Sequence, residues 1–288
     1  MKTVFEALRW ASSYLAEAGR DRNAAEILLA NQLKMERSKL LASFHDVMHD
    51  RDLFAFQKAV ERHRSGVPVQ YITGKEQFYG REFAVNEHVL IPRPETEEVV
   101  EAVLSEIDRV FPGAEPLSAV DIGTGSGAIA VTLALESKRL SVCATDISTE
   151  ALATASANAE RLGADVEFVS GDLLQPLMRE NKKADVIVSN PPYISVEEMQ
   201  SLSDVVRLHE PVGALTDGAD GLRFYKRFME ELPEVIADQA LVVFEIGWTQ
   251  GGALRDMFRR FFPNSEVQVK KDINGKDRIV CAVIGQNS

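Results

Sequence analysis

The segment Asn190-Pro191-Pro192-Tyr193 combines residue types that suit the binding of a planar NH2 group. It follows an apolar run at 186–189 that is typical of a buried strand, and ligands of open α/β sheets bind at the carboxyl ends of strands. The prolines stiffen the loop while their carbonyls stay free as acceptors, and the Asn190 side chain adds a further carbonyl. Tyr193 offers a flat face for stacking. The pattern favours a site that holds an amide or amino nitrogen, and a plain proline turn after a strand is the alternative.

A glycine-rich loop precedes this segment and fits a polar ligand. It follows a strand and opens a helix, so its exposed N–H groups can bind polar ligand groups. The third glycine comes one residue too early for the usual dinucleotide fingerprint and position 128 is alanine, although some dinucleotide sites tolerate that alanine, so the loop alone does not exclude them. No Lys-Ser/Thr pair makes it a phosphate loop. The pattern resembles the cofactor loop of class I methyltransferases, and a structural strand–helix turn is the alternative. The residues after Asp121 and Ile122 are Gly123, Thr124, Gly125, Ser126, Gly127 and Ala128.

Two carboxylates end the next strands along the chain. Asp146 follows the second strand of the α/β region and can accept both hydrogen bonds of a ribose diol. It could instead cap the following helix, although Ser148 can do that. Asp172 follows the third strand, where a methyltransferase would place adenine, and a turn carboxylate is the alternative.

Strands and helices alternate from residue 95 onward, which predicts a mostly parallel sheet covered by helices on both faces. Strands are expected at 118–122, 141–145, 166–169, 184–189 and 240–245, with helices at 97–110, 128–136, 148–162, 221–236 and 251–261. Asn274-Gly275 predicts a tight turn in a final antiparallel hairpin at 266–272 and 277–284.

The chain is therefore predicted to have a Rossmann-like α/β domain at 95–288, preceded by two other parts. Residues 1–64 show only helical spacing and predict a small bundle. Residues 65–94 are punctuated by glycine and proline and predict a β-hairpin linker, with β-like runs at 83–85 and 88–91.

Composition narrows the class of function. The net charge of the 288 residues is -12, which argues against phosphate-based binding of nucleic acid, although the first 70 residues are slightly basic. No segment is long and apolar enough for a membrane span. Two isolated cysteines and five scattered histidines predict neither disulfides nor a metal site, and a reducing cytoplasm is the simplest location.

Three further groups of motifs resemble those of the release-factor glutamine methyltransferases, also called the HemK or PrmC family. The resemblance covers residues 65–288 and is weaker in 1–64 and 174–184. The groups are Pro68-Val69-Gln70-Tyr71-Ile72-Thr73-Gly74 with Phe78-Tyr79-Gly80 and Val89-Leu90-Ile91-Pro92-Arg93-Pro94-Glu95-Thr96-Glu97; Glu210-Pro211 with Ala214-Leu215, Gly218 and Asp220-Gly221-Leu222; and Glu245-Ile246-Gly247 with Gln250.

The resemblance implies methyl transfer from S-adenosylmethionine to the side-chain N5 of the glutamine in the Gly-Gly-Gln motif of class I peptide chain release factors. It implies that the glycine loop lines the cofactor, that Asp146 binds the ribose, and that Asp172 and Leu173 lie beside the adenine. Asn190 would lie between cofactor and substrate, and the residues after it would complete the glutamine pocket.

Other possibilities stay open at this stage. Arg93 and Glu95 could form a lid over the site or an internal salt bridge. Methylation of adenine N6 in nucleic acid is the alternative activity, and a non-catalytic cofactor-binding protein is a third possibility. The N-terminal helices are expected to recognise the substrate, and a monomer is expected.

Overall fold

A computed structural model describes residues 2–113 and 116–285. The chain forms two compact units, of which one comprises Met1–Lys75 and Leu202–His209 and the other Glu76–Ser201 and Glu210–Ser288. Residues 65–75 thus belong to the first unit, which also takes in a short later segment. The division into three domains with boundaries at 64 and 94 remains a prediction.

Helices make up the first unit and surround the sheet of the second. In chain order they are α1 (Val4–Glu17), α2 (Ala24–Leu33), α3 (Arg37–Ala42), α4 (Asp50–Arg64), α5 (Val69–Thr73), α6 (Pro94–Val110), α7 (Ala128–Glu136), α8 (Thr149–Leu162), α9 (Gln175–Glu180), α10 (Val196–Met199), α11 (Asp204–His209), α12 (Val212–Leu215), α13 (Arg223–Glu231) and α14 (Gly251–Phe261).

The first unit is a helical bundle built on alanine and leucine. α1 begins at a reciprocal cap, in which Thr3 and Glu6 satisfy each other's backbone N–H groups. Its buried face carries Ala7, Ala11 and Leu15, whose spacing places them on one side of the helix. These small side chains allow α1 to pack closely against α2 and α4, as predicted for a bundle.

The second unit contains the expected sheet, whose strands are β3 (Leu117–Ile122), β4 (Leu140–Asp146), β5 (Val166–Ser170), β6 (Ala184–Ser189), β7 (Ile236–Glu245), β8 (Glu266–Lys271) and β9 (Asp277–Gly285). The strand order is β5-β4-β3-β6-β7-β9-β8. β3 to β7 are parallel, whereas β9 is antiparallel to both β7 and β8. The Rossmann-like fold with a C-terminal antiparallel hairpin is therefore confirmed.

The strand order reverses between β3 and β6, and this reversal creates the binding crevice of the fold. Successive strands leave the centre in opposite directions, so the loops after β3 and β6 separate and open a cleft at their carboxyl ends. Apolar clusters cover both faces of the sheet and hold it rigid beneath the cleft. One cluster includes Ile129 and Val131 of α7, and the other includes Phe228, Phe244 and Phe258.

The predicted linker hairpin forms, but one of its expected strands was misplaced. The hairpin consists of β1 (Lys75–Phe78) and β2 (Arg81–Ala84). Residues 88–91 form a turn and a loop, so the prediction of a β-like run there was wrong. The reason is local: the Asn86 side chain accepts a hydrogen bond from His88 N at 2.9 Å and its carbonyl accepts one from Val89 N at 3.2 Å.

The C-terminal hairpin turns through a longer loop than the dipeptide suggested. Gly275 has a φ of 75°, which a glycine adopts without strain. Asp272 organises the turn, because its Oδ1 accepts from the backbone N–H groups of Asn274 and Lys276 at 2.9 and 3.0 Å. In the described part of the chain, no helix is long and apolar enough to cross a membrane.

Candidate active site

A cavity of about 570 Å³ lies at the carboxyl ends of the parallel strands of the second unit. It is bordered by the loops after β3, β4, β5 and β6, by the segment before α6 and by α13. Most of the predicted site residues meet here. Those that line the cavity are Gly123, Thr124, Gly125, Ser126, Asp146, Asp172, Leu173, Asn190 and Pro192.

The glycine loop is held in place by Asp121 beneath it. One carboxylate oxygen accepts from Thr124 Oγ1 at 2.6 Å and from Ala130 N at 3.2 Å, which links the loop to the start of α7. The other oxygen is buried and has no hydrogen-bond partner among the described residues. Burial raises the pKa of Asp121 to about 7, because desolvation disfavours the charged form.

Gly123 and Gly125 present bare backbone to the cavity. Both have positive φ angles, and nothing lies within 4 Å of the position that a Cβ would take in either residue. Gly127 differs, because its Cβ would lie 3.0 Å from Ala155 Cβ on α8 and it does not line the cavity. Its contact with a cofactor stays a prediction, while the structure gives it a role in packing α7 against α8.

Asp146 connects the glycine loop to β4. Its Oδ2 accepts from Gly125 N and its Oδ1 from Ser148 N, both at 2.9 Å. Ser148 caps α8 by accepting from Ala151 N at 3.0 Å, so Asp146 is not needed as the cap. Burial raises the pKa of Asp146, and hydrogen bonds from the backbone partly offset this. The carboxylate is therefore fixed at the cavity wall, and its contact with a ribose stays a prediction.

Asp172 lies at the cavity wall after β5 and is held by a cation that sequence reasoning missed. Both guanidinium nitrogens of Arg227, on α13, donate to Asp172 at 2.9 Å, and Arg227 also donates to Glu231 at 2.9 Å. Such a fork fixes the plane of a carboxylate. The neighbouring Leu173 adopts a φ of 47°, so the chain turns sharply at this wall. No local pattern marks Arg227, because its partner is distant in sequence.

The loop after β6 brings Asn190 and Pro192 to the cavity, as predicted. Pro191 is buried, and neither Pro191 nor Tyr193 is part of the cavity lining. The Tyr193 hydroxyl donates to Glu245 Oε1 at 3.2 Å, and burial raises the pKa of this tyrosine. Stacking of the Tyr193 ring on a substrate therefore stays a prediction.

Gln250 fixes the backbone of the Asn-Pro-Pro-Tyr loop. Its Nε2 donates to the carbonyls of Tyr193 and Gly221 at 3.0 and 3.1 Å, and its Oε1 accepts from Gly247 N at 2.9 Å. Gly221 has a φ of 80°, and a Cβ on it would lie 2.3 Å from Tyr193 O. Only glycine leaves room for this approach.

Arg93 lines the cavity and forms an internal salt bridge, while a lid role for it stays a prediction. Its guanidinium lies 2.5 Å from Glu210 Oε1, and Glu210 Oε2 accepts from Ile91 N at 3.2 Å. Glu95 lies in the first turn of α6 and is not part of the cavity lining. Among the described residues, no group of histidines, cysteines and carboxylates could hold a metal ion.

The residues that line the cavity fit S-adenosylmethionine. Bare glycine backbone forms one wall, a fixed carboxylate follows β4, and Asp172 and Leu173 form a further wall. Their contacts with the methionine part, the ribose and the adenine stay predictions. The fold agrees, since it resembles a methyltransferase from Pyrococcus furiosus with a TM-score of 0.52 at 17% identity, covering 80% of this chain and 98% of that one. At this identity the likeness shows the fold alone, a Rossmann-like α/β fold.

Comparison with known sequences identifies the class of protein. Residues 6–74 match the family described as PrmC N-terminal domain, and residues 104–209 match the methyltransferase small domain. The chain is 63% identical over 287 residues to a release factor glutamine methyltransferase of Bacillus subtilis, covering all of both chains. It is 52% identical to one of Bacillus anthracis, over 98% of this chain and 99% of that protein. The chain belongs to the release factor glutamine methyltransferase family.

Proposed function

We propose that the chain transfers a methyl group from S-adenosylmethionine to the side-chain N5 of the glutamine in the Gly-Gly-Gln motif of class I peptide chain release factors. Full-length identity of 63% to a release factor glutamine methyltransferase is the observation that carries this proposal. The site supports it, because Asn190 lies in the same cavity as the glycine loop. A substrate amide that enters beside Asn190 therefore reaches the cofactor wall.

When bound, the cofactor supplies an electrophilic methyl group on a positively charged sulfur. The chain's own residues hold and orient the two reactants. The glycine loop and Asp146 fix one side of the cavity, and the Asp172–Arg227 pair fixes the wall next to it. A fixed geometry of this kind converts a bimolecular reaction into a step within one complex.

The loop after β6 compensates for the weakness of an amide as a nucleophile. The lone pair of an amide nitrogen is delocalised, so attack becomes easier when its hydrogens are bonded to acceptors that stabilise the developing positive charge. The Asn190 side-chain carbonyl and the proline carbonyls are such acceptors. No strong base is needed before attack, because the methylated nitrogen becomes acidic and releases its proton to water.

The same proposal includes partners and location. Residues 1–64 recognise the release factor, since they form a helical bundle outside the catalytic unit, and a modifier of release factors acts in the cytoplasm. A monomer is proposed, with a protein rather than a nucleic acid as substrate. The net charge of -12 supports a protein substrate, because binding of a phosphate backbone relies on cationic side chains.

Methyl transfer from labelled S-adenosylmethionine tests this function. Three acceptors are compared: a class I release factor, the same factor with its Gly-Gly-Gln glutamine changed to alanine, and a DNA duplex that contains adenine. Label on the unaltered factor alone is the expected result. Label on the duplex would support methylation of adenine N6 instead, and label on none of the three would support a non-catalytic role.

A further inference from the structure

Asn190 is the first residue in a chain of hydrogen bonds that the proposed mechanism does not use. Asn190 Nδ2 donates to Thr96 Oγ1 at 3.3 Å, and Thr96 Oγ1 donates to Glu245 Oε2 at 2.6 Å. The other oxygen of Glu245 accepts from the Tyr193 hydroxyl at 3.2 Å. Thr96 is 5% exposed and Glu245 is 1% exposed, so water has little access to the bond between these two residues.

The three residues come from separate elements that meet at the cavity, which Thr96 and Asn190 line, while Glu245 lies behind them. Thr96 lies in the first turn of α6, Glu245 ends β7, and Asn190 directly follows β6. Glu245 thus bonds to Tyr193 itself and reaches Asn190 through Thr96, so it holds both ends of the loop that binds the substrate amide. Arg278 stands behind it and lies 3.4 Å from the Tyr193 hydroxyl.

The direction of this chain follows from the number of available hydrogens. A threonine hydroxyl has one hydrogen, and the short bond to the Glu245 carboxylate uses it. Thr96 can therefore offer only a lone pair to Asn190. A lone pair is matched by the NH2 end of an asparagine amide and repels the oxygen end.

We propose that Thr96 and Glu245 are positioning residues that turn the Asn190 oxygen toward the cavity and thereby select a carboxamide over a carboxylate. The inference rests on the proposed function, in which a glutamine amide enters beside Asn190. A carboxamide brings N–H groups to the Asn190 oxygen, whereas the carboxylate of a glutamate brings only acceptors. Without Thr96, the Asn190 amide is free to rotate and to present its NH2 group.

The reaction also requires an acceptor, such as the Asn190 oxygen, facing the substrate amide. The amide nitrogen forms the new bond to the methyl carbon, the bond between that carbon and sulfur breaks, and its electron pair stays on sulfur. One N–H proton then leaves the nitrogen for water. An acceptor fixed opposite these N–H groups favours the step, whereas an NH2 group in the same place opposes it.

The test uses the full-length protein with Thr96→Val, which has nearly the same shape and lacks the hydroxyl. We expect kcat with a release factor to fall about tenfold, the effect of one lost hydrogen bond. The Kd for S-adenosylmethionine should stay unchanged. Thr96→Ser, which restores the hydroxyl, should recover kcat, and Thr96→Ala replaces the valine variant if the latter does not fold.

Two readouts separate positioning from a merely structural role. Inhibition by a Gly-Gly-Glu peptide, measured relative to a Gly-Gly-Gln peptide, should strengthen about threefold or more in Thr96→Val, because the freed amide can donate to a carboxylate. In an Asn190→Ala background, Thr96→Val should add no further loss of kcat.

An unchanged peptide ratio, or an equal loss of kcat with and without Asn190, would overturn the inference while leaving the proposed function intact. A wild-type protein that transfers no methyl group to a release factor would overturn both.

Discussion

Gly221→Ala should displace the Asn-Pro-Pro-Tyr loop without touching the cofactor wall. The new Cβ would lie 2.3 Å from Tyr193 O, whereas ordinary contact between carbon and oxygen needs roughly 1 Å more. The Tyr193 backbone must therefore move by that amount. A misplacement of about 1 Å at a reacting group reduces the rate on the order of a hundredfold.

A matched control separates this displacement from backbone strain. Gly218 has a φ of 73°, close to the 80° of Gly221, but nothing lies within 4 Å of the position of its Cβ. Gly218→Ala and Gly221→Ala thus share the cost of a left-handed conformation, about 1–2 kcal/mol, and only the second has the clash.

Three measurements are made on each variant: kcat for methyl transfer to a release factor, calorimetric binding of S-adenosylmethionine, and thermal unfolding. We expect both variants to lose stability, Gly221→Ala more because of its clash, both to retain cofactor binding, and only Gly221→Ala to lose kcat by about a hundredfold. Equal kcat values for the two variants would refute the assignment of Gly221 and Gln250 as supports of the loop.

Three further predictions concern the loop, the cavity wall and pH. Because the pKa of Asp121 lies near 7 in the folded chain against 3.8 ordinarily, the folded state holds a proton that the unfolded state releases. Stability should therefore fall as pH rises from about 4 to 7, by at most about 4 kcal/mol, and urea unfolding of Asp121→Asn should lack this contribution. Gly123→Ala should weaken cofactor binding about tenfold in calorimetry, whereas Gly127→Ala, whose Cβ meets α8 at 3.0 Å, should chiefly lower the Tm. Arg93→Met leaves the carboxylate of Glu210, whose side chain is 1% exposed, without its cation. Because the Arg93 side chain is itself 34% exposed, the loss in urea unfolding should be roughly 1–3 kcal/mol, and Glu210→Gln should cost less.

Each of these three has an outcome that contradicts it. The same pH dependence of the unfolding free energy in Asp121→Asn and wild type would show that Asp121 does not cause the loss of stability. Equal cofactor affinities of the two glycine variants would place both glycines in the same role. A free energy of unfolding of Arg93→Met equal to that of wild type would show that the salt bridge to Glu210 does not stabilise the fold.

The sequence carried the order of strands and helices well, because periodicity and turn residues are local signals. α7 and α14 begin and end where the spacing predicts, and β6 does as well. Predicted ends of helices and strands were wrong where pairing with a distant strand determined the end. The helix expected at 221–236 is α13 at Arg223–Glu231, and β7 already starts at Ile236, because β6 pairs with it from that residue.

For the site, too, local motifs were predictable from the sequence and long-range contacts were not. The glycine loop and Asn190 were recognisable because their residue types are rare in this order, and they line one cavity. Thr96, Glu245 and Gln250 stood in motifs that carry the family resemblance, but their contacts were not predicted, and Arg227 was missed altogether. Arg227 is 55 residues from Asp172 and Thr96 is 149 residues from Glu245, and contacts over such separations depend on the completed fold.

The most direct test of the central claim is tandem mass spectrometry of a class I release factor after incubation with this protein and S-adenosylmethionine. We predict one added methyl group on the side-chain amide of the Gly-Gly-Gln glutamine, formed on the order of a hundredfold or more slowly by Asn190→Ala. An unmodified factor, a methyl group on another residue, or equal rates for the two proteins would contradict the account.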